Sequence, residues 1–163
     1  MAVQAKPGVQ ERILLHLLDY SDFKDSIEVP FALSQMGIAN AVAIARSNVP
    51  RAIAGLKEQG ILVERQAHVK GVSRKRKAYF LTDSGVTLAS ETWERLSEFP
   101  VMCVLDEQPA VSTTLGSAKS VLPFEMRPVD IIRYIDEHNR LDVRNLSADL
   151  VERDLSKHVE KQL

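Results

Sequence analysis

Between Ser34 and Gly60 the chain carries two short apolar-periodic segments with only Val42-Ala43-Ile44-Ala45 to turn between them. Ile61–Leu81 then follows without a linker as strand, cationic turn and strand. Two helices joined by so few residues form a close pair, as in a helical hairpin or a helix-turn-helix. A hairpin joined directly to the second helix must pack beside that pair. Few arrangements satisfy both conditions.

Ser34 follows the apolar run Val29-Pro30-Phe31-Ala32-Leu33. It is suited to cap a helix, because its hydroxyl oxygen can accept an orphan amide of the first turn. Met36, Ile38, Ala39 and Val42 supply the buried stripe of that helix, Ala39 being small enough for a close crossing, and Ile44 stays with the core.

The second helix is expected over about 46–59, starting at Arg46 or Ser47. With Ser47 as N-cap, Pro50 falls in the first turn, where a missing N–H leaves no intrahelical bond unmade. Val49, Ile53 and Leu56 form its buried face. Gly60 suits the left-handed position after the helix, with Ile61 as the apolar contact just beyond. The opposite face carries Asn48, Arg51, Ala52 and Gly55, with little bulk and no negative charge. Asparagine can pair bidentately with adenine, and arginine with guanine, in the major groove of DNA. The same residues also permit an ordinary amphipathic helical hairpin.

The β-hairpin favours the first reading. Ile61-Leu62-Val63 opens a strand and Ala78-Tyr79-Phe80-Leu81 closes one, around Lys70-Gly71-Val72-Ser73-Arg74-Lys75-Arg76-Lys77. Four consecutive cations repel one another and gain nothing from folding. A polyanionic partner explains them; a solvated edge that resists aggregation is the plainer alternative.

The net charge of −1 conceals an asymmetry: through Leu81 there are 12 Lys/Arg against 7 Asp/Glu, and from Thr82 onward 9 against 15. A basic head (+5) joined to an acidic remainder (−6) fits a nucleic-acid module followed by a segment with another role.

Before this stretch, Val9–Leu18 reads as a helix burying Ile13, Leu14, Leu17 and Leu18, with His16 as a core or boundary histidine. Val29–Phe31 reads as a small third strand beside the hairpin. After it, Thr82 caps a helix whose apolar side is Val86, Leu88, Ala89, Trp93 and Leu96. Trp93 is expected either against the hairpin domain or in a dimer interface. Pro100 stops that helix, and the Ser/Thr-rich stretch to Ser120 reads as a linker. Pro128–His138 reads as a helix closed by Asn139; Asp142 can cap a second, and Glu152–Leu163 makes a third. The expected organisation is therefore a domain over residues 1–99, a linker over 100–123 and a helical segment over 124–163.

No catalytic constellation is assembled. GxSxG, HExxH and GxGxxG patterns are absent, and Gly116–Ser120 lacks the glycines of a phosphate loop. Cys103 is alone, and His16, His68, His138 and His158 share no metal-ligand spacing. Neither cofactor nor metal is expected. Met1–Gln10 lacks the apolar core of a signal peptide, and no run of about 18 apolar residues is present, so the expectation is a cytoplasmic protein with no membrane partner.

Taken together, Val29–Leu33, Ile38-Ala39, Ile44–Arg51, Leu56–Leu62, His68–Gly71 and Tyr79–Thr82 resemble the archaeal winged-helix regulators of the MarR-like and related kinds, over about the first 95 residues. The resemblance implies an α+β, mostly α fold: a three-helix core with a β-hairpin wing, plus the C-terminal helical segment. It implies a transcriptional regulator of double-stranded DNA, acting as a homodimer, not an enzyme. Asn48 and Arg51 would read bases, Arg46, Ser47 and Lys57 would touch phosphates, and Lys70, Arg74, Lys75, Arg76 and Lys77 would follow the backbone or the minor groove. The acidic C-terminal segment could take a protein partner. Alternatives are a winged-helix protein-interaction module, or the regulatory head of a larger, possibly nucleotide-binding, protein.

Overall fold

The computed structural model describes residues 4–146. Helix α1 spans Val9–Leu18 and buries Ile13, Leu14 and Leu17 as expected. A loop and the short strand β1 (Glu28–Val29) lead through a 3-10 turn at Phe31–Leu33 to α2 (Gln35–Val42). Ser34 is the N-cap: its Oγ accepts from the Gly37 amide at 3.1 Å and donates to the Phe31 carbonyl at 2.6 Å. Ile38, Ala39 and Val42 are buried, whereas Met36 is 39% exposed, so the expected stripe loses its first member. Gly37 makes a further close approach, to the preceding turn: a Cβ there would lie 2.1 Å from the Phe31 carbonyl oxygen.

Ala43 ends α2 in the left-handed region, φ 59°. The second helix, α3, starts later than expected. Arg46–Asn48 form a 3-10 turn and α3 runs Val49–Glu58, with no side-chain cap from Ser47 or Asn48. Pro50 lies in the first turn, and its ring fixes the backbone there without any help from a capping side chain. The far end is a Schellman closure. Gly60, φ 73°, donates to the Lys57 carbonyl at 3.0 Å, and Ile61 donates to Leu56 at 2.9 Å.

Strands β2 (Leu62–Val69) and β3 (Lys75–Leu81) pair antiparallel from Leu62↔Leu81 to His68↔Lys75. The third strand is present but sits at Glu28–Val29, pairing parallel with β2 at His68 and Val69, because Pro30 cannot extend the ladder. Lys75, Arg76 and Lys77 are exposed, while Ala78, Tyr79, Phe80 and Leu81 are all buried. Apolar-polar alternation fails in that second half, where elements cover both faces of β3. Arg65 secures the preceding loop: its guanidinium donates to the carbonyls of Phe23, Lys24 and Ser26 and lies 4.4 Å from the Phe80 ring centroid.

Helix α4 spans Asp83–Leu96, capped by Thr82 Oγ1, which accepts from Gly85 at 3.0 Å. It packs along α1. Trp93 is partly buried against a second apolar cluster, which combines Leu15 of α1 with residues that follow α4.

The expected linker over 100–123 is ordered structure. Strands β4 (Pro100–Val104) and β5 (Val111–Thr114) pair antiparallel, and β6 (Arg140–Asp142) pairs parallel with β4, giving the order β5-β4-β6. The Ser/Thr content that suggests a linker belongs to a half-exposed edge strand, while Leu115, Ala118 and Leu122 anchor the segment in the second cluster. The expected helix from Pro128 is shorter, α5 at Pro128–Tyr134. Asp136 ends that stretch: its Oδ1 accepts from the amides of His138 and Arg140, turning the chain through Asn139 (φ 60°) into β6. Asp142 caps only a 3-10 turn, Val143–Asn145. The C-terminal segment through Leu146 is thus mixed α and β, not wholly helical. The expected helix at Glu152–Leu163 lies outside the described residues.

The two clusters interlock. Leu15 of α1 joins the C-terminal one and Val129 of α5 joins the N-terminal one. Arg127 fixes the junction, with Nε on Asp19 at 2.9 Å and Nη2 on the His16 carbonyl at 3.0 Å. His16 is a core histidine, 1% exposed.

Candidate nucleic-acid interface

The helix α2–turn–α3 pair is held at its crossing by Ile38, Val42, Val49, Ile53 and Leu56 in one core. Arg12 of α1 reaches across to donate to the Val42 carbonyl at 2.8 Å, satisfying an orphan acceptor where α2 ends. With the apolar stripe of α3 committed inward, Pro50, Arg51, Ala54, Lys57 and Glu58 face solvent.

All ten expected contact residues, Arg46, Ser47, Asn48, Arg51, Lys57, Lys70, Arg74, Lys75, Arg76 and Lys77, are exposed. Arg46, at the start of the turn into α3, lines one hollow of about 560 Å³ together with Lys75, Arg76 and Lys77 of the wing. A second hollow, of about 360 Å³, lies between α3 and the sheet, lined by Pro50, Ala54, Lys57 and Glu58 opposite Glu64 and Lys77. Gln35 and Lys77 border both, so the two hollows adjoin there. Asn48 and Arg51 are exposed but line neither hollow.

Two expectations about α3 need correction. Ala52 and Gly55 are half-buried beside α1, where the Gln10 amide donates to the Ala52 carbonyl at 3.4 Å. Their small size serves that packing, not an outward face. Glu58 brings a carboxylate to the exposed side, so the face is uncharged or basic only in its N-terminal part.

Electrostatics separate the cations. Lys57 is paired with Glu64 at 3.4 Å. Burial acts to raise the Glu64 pKa, but hydrogen bonds with Tyr79 and Lys57, and the charges of Lys57 and Lys77, hold it below the ordinary carboxylate value. Arg46, Arg51, Lys70, Arg74, Lys75 and Arg76 form no ion pair among the described residues. Cations concentrated without counter-charges in a concavity raise the local concentration of anions.

Residue patterns alone miss Gln35, Phe31 and Met36. Gln35 Nε2 donates to the buried Tyr79 hydroxyl at 2.9 Å, which holds the amide at the junction of the two hollows. Its place directly after the N-cap is a usable signal. Phe31 and Met36 look like core residues in the sequence, yet they are 42% and 39% exposed. Among the described residues no group of three His, Cys, Asp or Glu side chains could hold a metal ion, and no helix is long and apolar enough to cross a membrane.

No protein-family model matches the sequence, and no curated protein matches it significantly. Solved structures do. The adhesin competence repressor AdcR of Streptococcus pyogenes aligns with a TM-score of 0.44 at 21% identity, covering 80% of this chain and 76% of that one. MepR, a transcription regulator of the Staphylococcus aureus multidrug efflux pump MepA, gives 0.42 at 20%, covering 55% and 57%. ZitR of Lactococcus lactis gives 0.40 at 24%, covering 53% and 55%. In these two alignments this chain spans little more than half the length of ZitR and of MepR. At such scores only the chain's own geometry assigns the architecture. By its element order, strand registers and crossing helices, the chain is a winged helix-turn-helix protein carrying an additional α/β unit.

Proposed function

We propose that this protein binds double-stranded DNA and regulates transcription. One observation supports the reading most: Arg46 at the turn into α3 and Lys75, Arg76 and Lys77 of the wing line a single hollow with no acidic residue in its wall. A duplex is the common partner that presents closely spaced anions to a helix and a hairpin at once. Helix α3 lies in the major groove with Arg51, and Asn48 from the turn before it, at base edges; Arg46 and Ser47 touch the flanking phosphates. Lys57 reaches a phosphate only by leaving Glu64. Lys70 and Arg74–Lys77 neutralise the backbone or enter the adjacent minor groove. The protein works as a homodimer on a near-palindromic site, with half-sites about one helical turn apart.

Replacing Arg74, Lys75, Arg76 and Lys77 together by alanine tests this. Binding of a mixed-sequence DNA duplex is followed by fluorescence anisotropy over a range of salt concentrations. The slope of log K against log salt is expected to fall by about 0.9 for each phosphate that is no longer neutralised. An unchanged slope removes the wing from the interface. It would leave the protein-interaction reading, in which the same cations meet an acidic protein surface.

A further inference from the structure

The hollow between α2 and the wing has a composition that charge neutralisation alone does not require. Its rim is cationic, through Arg46, Lys75, Arg76 and Lys77, but its floor is apolar, through Phe31 and Met36, which are 42% and 39% exposed. An exposed aromatic and an exposed thioether lining one hollow keep apolar surface in water for no gain in folding. Two polar groups beside them are engaged. Ser34 Oγ serves both the Gly37 amide and the Phe31 carbonyl, and the Gln35 amide donates to Tyr79. Gln66 stands across from Lys77 in the hairpin, on the wing wall.

From this we infer that the hollow seats one sugar–phosphate strand of DNA, its phosphates on the four cations and its deoxyribose rings against Phe31 and Met36, so that the floor discriminates against ribose. This rests on the DNA-binding reading and deepens it. A nucleic-acid backbone alternates anion and sugar, and the hollow offers a partner to each. Deoxyribose presents carbon and hydrogen at its 2′ position. Ribose presents a hydroxyl that would lose water against the carbon and sulfur of Phe31 and Met36.

The test uses the full chain and mixed-sequence duplexes of identical sequence made as DNA and as RNA, with binding read by anisotropy at several salt concentrations. The unaltered protein is expected to prefer DNA. The double variant F31A/M36A is expected to bind DNA about tenfold more weakly, as for uncovering one or two apolar side chains. Its affinity for RNA and its salt slope stay as they were, because the cations remain. F31L/M36L, which keeps apolar bulk, restores the preference. Thermal melting of each variant checks that the fold is intact, which the exposure of both side chains favours.

Equal weakening toward DNA and RNA would overturn the inference, since the preference would then come from duplex shape. So would unchanged DNA binding by F31A/M36A, which would give the floor another occupant such as an acidic peptide. If the unaltered protein binds neither duplex, the DNA-binding reading itself fails, and the inference with it.

Discussion

His16 gives a stability prediction whose magnitude follows from its surroundings. Its Nε2 lies 2.7 Å from the Ala32 carbonyl oxygen and its Nδ1 lies 3.1 Å from Nη2 of Arg127. A carbonyl can only accept and a guanidinium can only donate, so the ring must be neutral with its proton on Nε2. Burial, and then the Arg127 charge, push the pKa from 6.5 down to about 4, against weaker opposition from Ala32, Asp130 and Asp19. The unfolded chain therefore takes up a proton that the folded one refuses. Stability from this group is complete above pH 6.5 and is lost as pH falls toward 4.

Between about pH 7.5 and pH 5 the loss is about 2 kcal/mol. With a urea dependence of about 1–3 kcal/mol per molar, the unfolding midpoint should drop by about 1 M. Glu64, Asp136 and Asp142 have pKa values held below their ordinary range, so they add acid sensitivity only at lower pH. His16→Gln keeps an amide donor for Ala32 and removes the titration. Its midpoint should stay nearly flat over the same window. Parallel curves for the two proteins would refute the assignment of the proton to His16.

Three further substitutions address other parts of the molecule. Arg51→Ala should cost about 1–3 kcal/mol on a selected duplex and relax preference at one base pair; equal losses on selected and random DNA would confine Arg51 to the backbone. Gly37→Ala places a methyl 2.1 Å from the Phe31 carbonyl oxygen and should lower stability by about 3 kcal/mol, read from the urea midpoint. Ala43→Gly should act the other way, raising stability by about 0.5 kcal/mol, because alanine bears the left-handed backbone (φ 59°) that glycine adopts freely; a lowered midpoint would count against strain at that turn.

Much of the fold is legible in the sequence because its signals are short-range. Ser34 and Thr82 cap the helices they precede, Pro50 opens α3, Gly60 and Ile61 close it, and the hairpin follows where apolar strands flank the cationic turn. Each signal acts through bonds within a few residues of itself. The exposed cations are equally readable, since charges without internal partners have only solvent or a ligand to face. Phe31 and Met36 mislead because periodicity reports an apolar residue, not whether a neighbouring element arrives to cover it. Ala52 and Gly55 suggest an outward face because only folding shows that α1 lies against them.

The local sequence thus determined where helices start and stop, and which residues carry the charge of the wing. Tertiary structure decided what lies far apart along the chain and meets in space. It turned the Ser/Thr-rich stretch after β4 into an edge strand, and it set Arg140–Asp142 parallel to Met102–Val104. It also buried His16 beneath Arg127 and joined Arg46 to the wing around one hollow. A short-range pattern cannot encode such meetings, because their free energy comes from surfaces that exist only once the remaining elements have packed.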